Sequence, residues 1–425
     1  MKTCYNVLDK LEIELTITDN PFAFNLENLF QMGARINPKR NFLFISKLLG
    51  KHLDVHPHIP KAAGHVLASL FLEKQEQRKM KGLETFLSFI QHPKDEDKLD
   101  DFLNEQYELS EPTLFIGFAE TATGLGHAVF SAFSNAHYIH TTRDEIEYMT
   151  SVFDFKEEHS HAVDHRCFLR DQNLLHQAKR IVLIDDEMTT GKTSLNLISS
   201  LHAHYPGKNY TILSLLDWRK QEEKNRYTKV EKELDITIDA LSLLQGTIEL
   251  TKNGTFTYEE EKKEKYLEIK ENISYFLYDE ISSLTTELSA RTGISSNEQQ
   301  KLEIEAKKMG EKLKKYRNHE KTLVVGMGEF MYVPSRVAAH MGKGIFFKTT
   351  TRSPIFIHEE KHYPIHDRIL YKDGEDITYH LYNLKNQQYQ EVIILLEKKE
   401  IHQTMHQLAT CFYKKGIKHV TFVRV

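Results

Sequence analysis

The order of apolar runs predicts an α/β protein: a parallel, doubly wound sheet flanked by helices, a second, degenerate α/β copy of the same fold, and a mixed segment between them. Three observations carry this expectation. Strand-like apolar runs alternate with helical stretches between residues 113 and 220, as strands joined by helical crossovers do. One of those runs ends in two carboxylates followed by a Thr/Gly turn. Residues 115–144 reappear without a gap at 324–353, the kind of self-similarity that marks an internal repeat.

The chain has 425 residues, 40% of them apolar and 28% charged. That is a core-forming composition, which excludes whole-chain disorder and the collagen-like and disulfide-scaffold classes. One hydrophobic core rarely grows beyond about 300 residues, so two or three domains are expected. Lys+Arg number 56 against 61 Asp+Glu, a net charge of -5, and bulk electrostatics does not recommend nucleic acid as a partner. Cys4, Cys167 and Cys411 are far apart in the chain and fit reduced thiols. The opening MKTCYNVLDKLEIELTITDN is broken by Asp9, Lys10, Glu12 and Glu14. No signal peptide is read there, and no run approaches the roughly 18–20 apolar residues of a membrane span. A soluble, cytoplasmic protein is expected.

In the first α/β region, TLFIGF (113–118), HYIHTT (137–142), RIVLID (180–185) and YTILSLLDW (210–218) read as strands, since runs buried on both faces are continuously apolar. GHAVFSAF and TSLNLISSLHAHY (193–205) have helical periodicity. Ahead of them stand a strand candidate at 11–17, the stretch 40–53 and a helical stretch at 62–80. The charge run RKQEEKNRYTKVEKE after residue 218 marks a boundary. Beyond it, 233–258 suggests β-structure with a hairpin turn at Asn253-Gly254, and 298–317 a mixed-charge surface helix. The stretch 322–351 returns to strand, helix and strand, and the chain closes with a strand at 391–397, a helix at 401–416 and a strand at 419–425. The division expected is 1–220, 221–321 and 322–425.

In the repeat, Gly117 falls on Gly326, Glu120 on Glu329, and Thr141-Thr142-Arg143 on Thr350-Thr351-Arg352, each offset by 209 residues. With a two-residue shift, IVLIDD (181–186) falls on VIILLE (392–397). The second copy lacks the acidic pair and the TTG turn, keeping Glu329, Arg352 and Ser353 as its candidate functional residues.

The string Ile181-Val182-Leu183-Ile184-Asp185-Asp186-Glu187-Met188-Thr189-Thr190-Gly191-Lys192-Thr193 carries the chemistry. A doubly wound sheet binds ligands at the carboxyl ends of its strands, where the strand order reverses. The turn offers backbone N–H groups and hydroxyls at a helix N-terminus, which favour a phosphate. Two adjacent carboxylates repel phosphate and suit the donating hydroxyls of a ribose, so a sugar phosphate satisfies both halves. A Walker A loop would need Gly where Asp186 stands. An acidic strand end with a helix cap explains Asp or Thr singly, but not the whole string.

The string IVLIDDEMTTGKT is similar to the phosphoribosyl pyrophosphate (PRPP) signature of type I phosphoribosyltransferases, departing from it at Glu187. The strings from Arg35 to His52, GFAETATGLGH and TTTRSP (349–354) resemble phosphoribosyltransferases with a C-terminal TRSP domain, found with bacterial tellurium-resistance (Ter) stress clusters. Such proteins are proposed to make or modify a nucleoside-like metabolite. The resemblance implies that Asp185 and Asp186 hold the ribose hydroxyls and that Thr189, Thr190, Gly191, Lys192 and Thr193 cradle the 5′-phosphate. It places Ala119, Glu120, Thr121, Ala122, Thr123 and Gly124 in the pyrophosphate loop. Mg²⁺ is implied through substrate and Asp185 or Asp186, without a dedicated protein cage.

Departure of pyrophosphate leaves a cationic sugar C1, so the site must stabilise separated charge and exclude water. The polar segment 153–168 is placed to act as a lid, with Glu158, His159 and His161 as candidate lid or substrate contacts. Arg143 is either a phosphate ligand or a salt-bridge partner. Arg35, Arg40, Lys47, Lys51 and His52 either recognise the acceptor or form a solvated amphipathic face, and His56 and His58 read as turn residues. Type I enzymes commonly pair as dimers, so the second copy is expected to act as an internal partner in a pseudo-dimer. The partners expected are PRPP and a base-like acceptor, with RNA contact through the lysines of 262–265 and 314–317 the weaker expectation. The alternative function is a PRPP- or nucleotide-sensing regulator, or an RNA-associated protein, that kept the fold without turnover.

Overall fold

The computed structural model describes residues 1–35, 40–94, 96–146, 149–155, 165–256, 274–277, 290–385, 389–397 and 402–425. The N-terminal strands are β1 (Lys2–Val7), β2 (Leu11–Asp19), β3 (Phe30–Ala34) and β4 (Phe42–Ser46). Next come β5 (Tyr107–Gly117), β6 (Phe133–His140), β7 (Phe153–Phe155), β8 (His165–Cys167), β9 (Arg180–Met188) and β10 (Asn209–Asp217). The middle of the chain holds β11 (Ile238–Asn253), β12 (Ser274–Leu277) and β13 (Ile294–Ser295). The last six are β14 (Thr322–Gly326), β15 (Ile345–Thr349), β16 (Arg368–Lys372), β17 (Thr378–Tyr382), β18 (Glu391–Leu396) and β19 (His419–Arg424).

The large sheet runs β1-β2-β11-β10-β9-β5-β6-β13. Its centre, β6-β5-β9-β10-β11, is parallel throughout, with antiparallel strands added at both edges. From β5 the chain moves outward to β6 and then returns to the other side as β9. The order therefore reverses between β5 and β9, which opens a crevice at their carboxyl ends. Alternate residues of the central strands face opposite sides. Leu114, Ile116, Ile181, Leu183 and Ile212 join one apolar layer, while Phe115, Val182, Ile184 and Leu213 join another. The helix Lys192–His204 covers the first face through Leu197, Ile198 and Leu201. The helices Ile59–Glu76 and Ala122–Phe130 cover the second. Burial on both faces is why these strands are continuously apolar.

The second sheet runs β15-β14-β18-β19-β12, all parallel. With β14, β15, β18 and β19 set against β5, β6, β9 and β10, the strand order is the same. The repeat seen in sequence is thus a repeat of topology. Val324, Ile393, Leu395 and Val423 enter the same apolar layer as Phe115 and Val182, whereas Leu323, Val325, Val392 and Ile394 face a separate one. The two copies share one core layer.

Several expectations change. Residues 221–321, expected as a separate segment, supply β11 and β13 to the large sheet and β12 to the second. No hairpin folds back at Asn253-Gly254 among the described residues; β11 pairs antiparallel with β2 instead. The Gly254 N–H donates to the Lys10 carbonyl at 2.9 Å. The charge-rich helix, Ser296–Tyr316, is not confined to the surface. Leu302, Ala306, Met309 and Leu313 form a buried stripe along it, the i, i+3, i+4 spacing of a packed face. No helix among the described residues is long and apolar enough to cross a membrane.

Candidate active site

Asp185 and Asp186 stand where β9 leaves the core at the crevice. Ile184 is fully buried, while Asp185, Asp186 and Glu187 are half-buried. The Asp186 N–H donates to Asp185 Oδ1 at 2.9 Å. Loss of water pushes both carboxyls up, and neighbouring negative charge adds to it: Asp186 acts on Asp185, and Glu187 on Asp186, which rises to about 6. Glu187 has its own cation, Arg40, at 2.5 Å. The Asp pair is thus a set of oxygen acceptors poorly compensated by the protein, suited to a donor-bearing or cationic ligand.

Beyond β9, Thr189 and Thr190 are exposed and Gly191, Lys192 and Thr193 half-buried. Gly191 caps the helix Lys192–His204 at φ 67° with no side-chain cap, which leaves first-turn N–H groups facing the turn. The Lys192 N–H donates to Thr190 Oγ1 at 3.4 Å. A Cβ at Gly191 would lie 2.2 Å from the Tyr227 hydroxyl and 2.9 Å from Arg219 Cδ. That hydroxyl donates to the Gly191 carbonyl at 2.7 Å. Arg219 lies over the Tyr227 ring at 4.2 Å, and Asp217 holds it bidentately at 2.9 and 2.7 Å. The end of β10 and the helix Gln221–Leu234 that follows it therefore brace the turn after β9.

Across the crevice, the Phe118 N–H donates to the Ile184 carbonyl at 3.0 Å, joining the bases of the two loops. The Ala119 N–H donates to Thr141 Oγ1 at 2.8 Å, and the Ala119–Glu120 peptide is cis. Glu120 is buried with Lys51 Nζ at 2.5 Å, and the same lysine acts electrostatically on Asp186. Thr121 is half-buried at the start of the following helix. Ala122, Thr123 and Gly124, expected in the same loop, instead form the buried first turn of that helix. Thr123 Oγ1 donates to the Glu329 carbonyl at 2.9 Å. A Cβ on Gly124 would come within 2.8 Å of Met331 Cβ. These small residues serve close packing against the second copy, and the loop shrinks to Ala119–Thr121.

The two copies meet by reciprocal contacts. Glu329 accepts from the Arg143 N–H at 3.0 Å, and Glu120 accepts from the Arg352 N–H at 3.3 Å. Each pair is the other shifted by 209 residues, the contact pattern of a two-fold axis. The loops match internally as well. Thr141 N–H donates to the Gly117 carbonyl at 2.9 Å, and Thr350 N–H to that of Gly326 at 3.1 Å. The Ala119 and Gly328 N–H groups donate to Thr141 and Thr350 Oγ1, each at 2.8 Å. Burial raises the Glu329 carboxyl, but Arg291 at 2.6 Å, His140 and the Thr142 hydroxyl together hold it below the usual range. Arg352 Nη2 donates to Asp144 and to the Tyr379 hydroxyl, both at 2.8 Å. The Ser353 carbonyl accepts from Tyr382 at 2.7 Å.

In the expected lid, β7 and β8 form an antiparallel ribbon. Glu158, His159 and His161 lie outside the described residues. Beside Asp186 and Glu187 is a small hollow of about 20 Å³ walled by Phe30, Phe44 and Leu48. Lys51 and Arg40 were legible only as members of a basic stretch, while Asp217, Arg219 and Tyr227 carried no motif. His56, His58 and Glu96 place one ligand atom each within 4.8 Å of one another, where the sequence suggested only a turn. Of the basic residues considered for RNA, 262–265 lie outside the described residues. Arg317 donates to the His319 and Lys343 carbonyls at 2.7 and 2.6 Å, a loop-tying role.

A mainly parallel sheet with an acidic strand end facing a glycine turn at its switch point defines a ligand-binding α/β protein of the phosphoribosyltransferase type. The chain belongs to the phosphoribosyl transferase family, whose model matches residues 29–247, just over half of it. A TRSP domain, described as C-terminal to that family's domain, matches residues 288–412. No curated protein matches the chain. Among solved structures, adenine phosphoribosyl transferase from Trypanosoma brucei, in complex with AMP, pyrophosphate and ribose-5-phosphate, is 11% identical with a TM-score of 0.30, over 53% of this chain and 82% of that one. The Rhodothermus marinus adenine phosphoribosyltransferase is 14% identical with a TM-score of 0.27, over 52% and 96%. That of Leishmania donovani is 14% identical with a TM-score of 0.25, over 51% and 77%.

Proposed function

We propose that the protein is a Mg²⁺-dependent phosphoribosyltransferase that moves ribose 5-phosphate from PRPP to a nucleobase or base-like acceptor. One observation carries this: Asp185, Asp186 and the 189–193 turn share a switch-point crevice with Ala119–Thr121. In this reading the turn's N–H groups and hydroxyls hold the 5′-phosphate, and the Asp pair accepts from the ribose hydroxyls. The Glu120 and Thr121 N–H groups of the short loop face the pyrophosphate. The C1–O bond breaks with its electron pair leaving on pyrophosphate, an acceptor nitrogen bonds to C1, and the acceptor loses a proton. No protein nucleophile is required. Asp185 and Asp186 are hard oxygen donors and fit a Mg²⁺ ion shared with substrate; when bound, that ion supplies charge neutralisation of the leaving group.

We read the two copies as an internal pseudo-dimer, a reading supported by the reciprocal Glu–Arg contacts. The resemblance of the motifs to Ter-cluster proteins supports a place in a stress-response pathway that makes a nucleoside-like metabolite. The test is pyrophosphate release from PRPP with a panel of bases and Mg²⁺. Release with at least one acceptor is expected. Binding of PRPP without release on any acceptor would favour the sensing regulator.

A further inference from the structure

A group of metal-ligating side chains stands apart from the first crevice. The chain enters the helix Ile59–Glu76 through His56-Pro57-His58. Proline fixes its own backbone angle, and the two imidazoles leave this stiff turn side by side, their rings 5.3 Å apart at 32°. Phe89, on the helix Leu83–Gln91, meets both edge-on at 5.2 and 6.3 Å. The chain beyond that helix brings up Glu96, whose Oε2 lies 2.8 Å from His56 Nε2. One ligand atom from each of His56, His58 and Glu96 falls within 4.8 Å of the others.

Two imidazole nitrogens and one carboxylate oxygen are the donor set of an open zinc site, in which the fourth tetrahedral position is left to water or a ligand. Imidazole does not suit Mg²⁺ or Ca²⁺, which take oxygen. A simple His–Glu pair explains His56 and Glu96, but not the second imidazole that Phe89 holds against them. His58 is buried, whereas the side chains of His56 and Glu96 keep 26% and 27% of their surface exposed, so an ion can arrive from solvent. His56 also lines a cleft of about 570 Å³, together with Ile90 and Pro93. Of the cations that act on His58, Arg336 and Lys61 are paired with Glu303 at 3.0 and 3.2 Å. Coordination through His56 Nε2 puts the ring proton on Nδ1. That displaces a 3.4 Å contact from the His58 N–H, which is long for a hydrogen bond.

We infer that His56, His58 and Glu96 bind one Zn²⁺ ion, with one coordination position open beside the cleft. The ion ties the turn ahead of the helix Ile59–Glu76 to the start of the helix Asp97–Leu103. The site is independent of the PRPP reading.

The experiment is calorimetric titration of the full chain, first stripped with a chelator, with Zn²⁺ in excess Mg²⁺ to fill oxygen-only sites. One equivalent of Zn²⁺ binds and raises the melting temperature. Outer-shell partners of a metal site are worth about 10–100-fold in affinity, so His56→Ala and Glu96→Gln, each removing a ligand, weaken Zn²⁺ by at least about tenfold. Both positions are partly exposed, and circular dichroism checks that the fold is kept. Co²⁺ in the same site gives the strong visible absorption of a four-coordinate ion. Asp185→Asn keeps the Zn²⁺ equivalent, so a failure of the PRPP reading is told apart from a failure of this one. The inference is overturned if Zn²⁺ does not bind, if both ligand substitutions leave its affinity intact, if Co²⁺ shows only the weak bands of six oxygen ligands, or if Asp185→Asn removes the equivalent.

Discussion

Gly191→Ala is the most informative single change in the first crevice. At φ 67° the backbone is left-handed, which costs a non-glycine residue about 1–2 kcal/mol. Space adds to that penalty, because the new methyl would stand 2.2 Å from the Tyr227 hydroxyl and 2.9 Å from Tyr227 Cζ. Something must shift, and the mobile partner is Tyr227, whose hydroxyl holds the Gly191 carbonyl at 2.7 Å. The substitution therefore strains the turn and breaks its brace, a combined loss of about 2–3 kcal/mol with the net value of one hydrogen bond included. If the turn cradles the 5′-phosphate, PRPP affinity falls by at least tenfold. Tyr227→Phe alone gives up the hydrogen bond, about 1 kcal/mol. In that background Gly191→Ala costs less than in the intact protein, because the closest clash has been removed, and a double-mutant cycle reads the difference. PRPP calorimetry and thermal melting are the assays. Wild-type affinity and melting temperature in Gly191→Ala would refute the reasoning, as would strict additivity with Tyr227→Phe.

Three further outcomes are expected. Asp186 titrates near 6 in the folded chain, above its ordinary 3.8, so the folded state binds that proton more tightly and stability falls as pH rises through about 6. Asp186→Asn should then raise the melting temperature at pH 7.5 but not at pH 4, as differential scanning fluorimetry will report, while PRPP affinity of the intact chain rises over the same pH range. Lys51→Met strands the buried Glu120 carboxylate 2.5 Å away and should cost about 3–5 kcal/mol; adding Glu120→Leu recovers part of it, measured by chemical denaturation. Thr141→Val and Thr350→Val each orphan a buried N–H that now donates at 2.8 Å, so each should cost about 1–3 kcal/mol; a much larger loss at one site than the other argues against equivalent loops.

The residues that were legible in sequence are those whose signal is local. Asp185 through Thr193 lie on one strand and one turn, so adjacency in the chain is adjacency in space. The repeat was legible because Gly117 and Gly326, and the two TTR strings, keep their spacing. Contacts made across the fold left no such trace. Lys51 meets Glu120 over 69 residues, and Arg143 meets Glu329 over 186. Arg219, just past the end of β10, and Tyr227, on the helix Gln221–Leu234 that follows, brace Gly191 across the fold. The start of the helix at Ala122 was missed because small residues serve a phosphate-facing loop and a close helix contact equally well. The edge pairing of β11 was missed because Asn-Gly favours a hairpin locally, while β2 offers a long antiparallel partner from the other end of the chain.

Titrating PRPP and Mg²⁺ into the intact chain and into the Asp185→Asn, Asp186→Asn double variant bears most directly on the account. One equivalent should bind the intact protein and binding should vanish in the variant, with the fold intact by circular dichroism. Equal affinity in both proteins would contradict the claim that these two carboxylates hold the sugar.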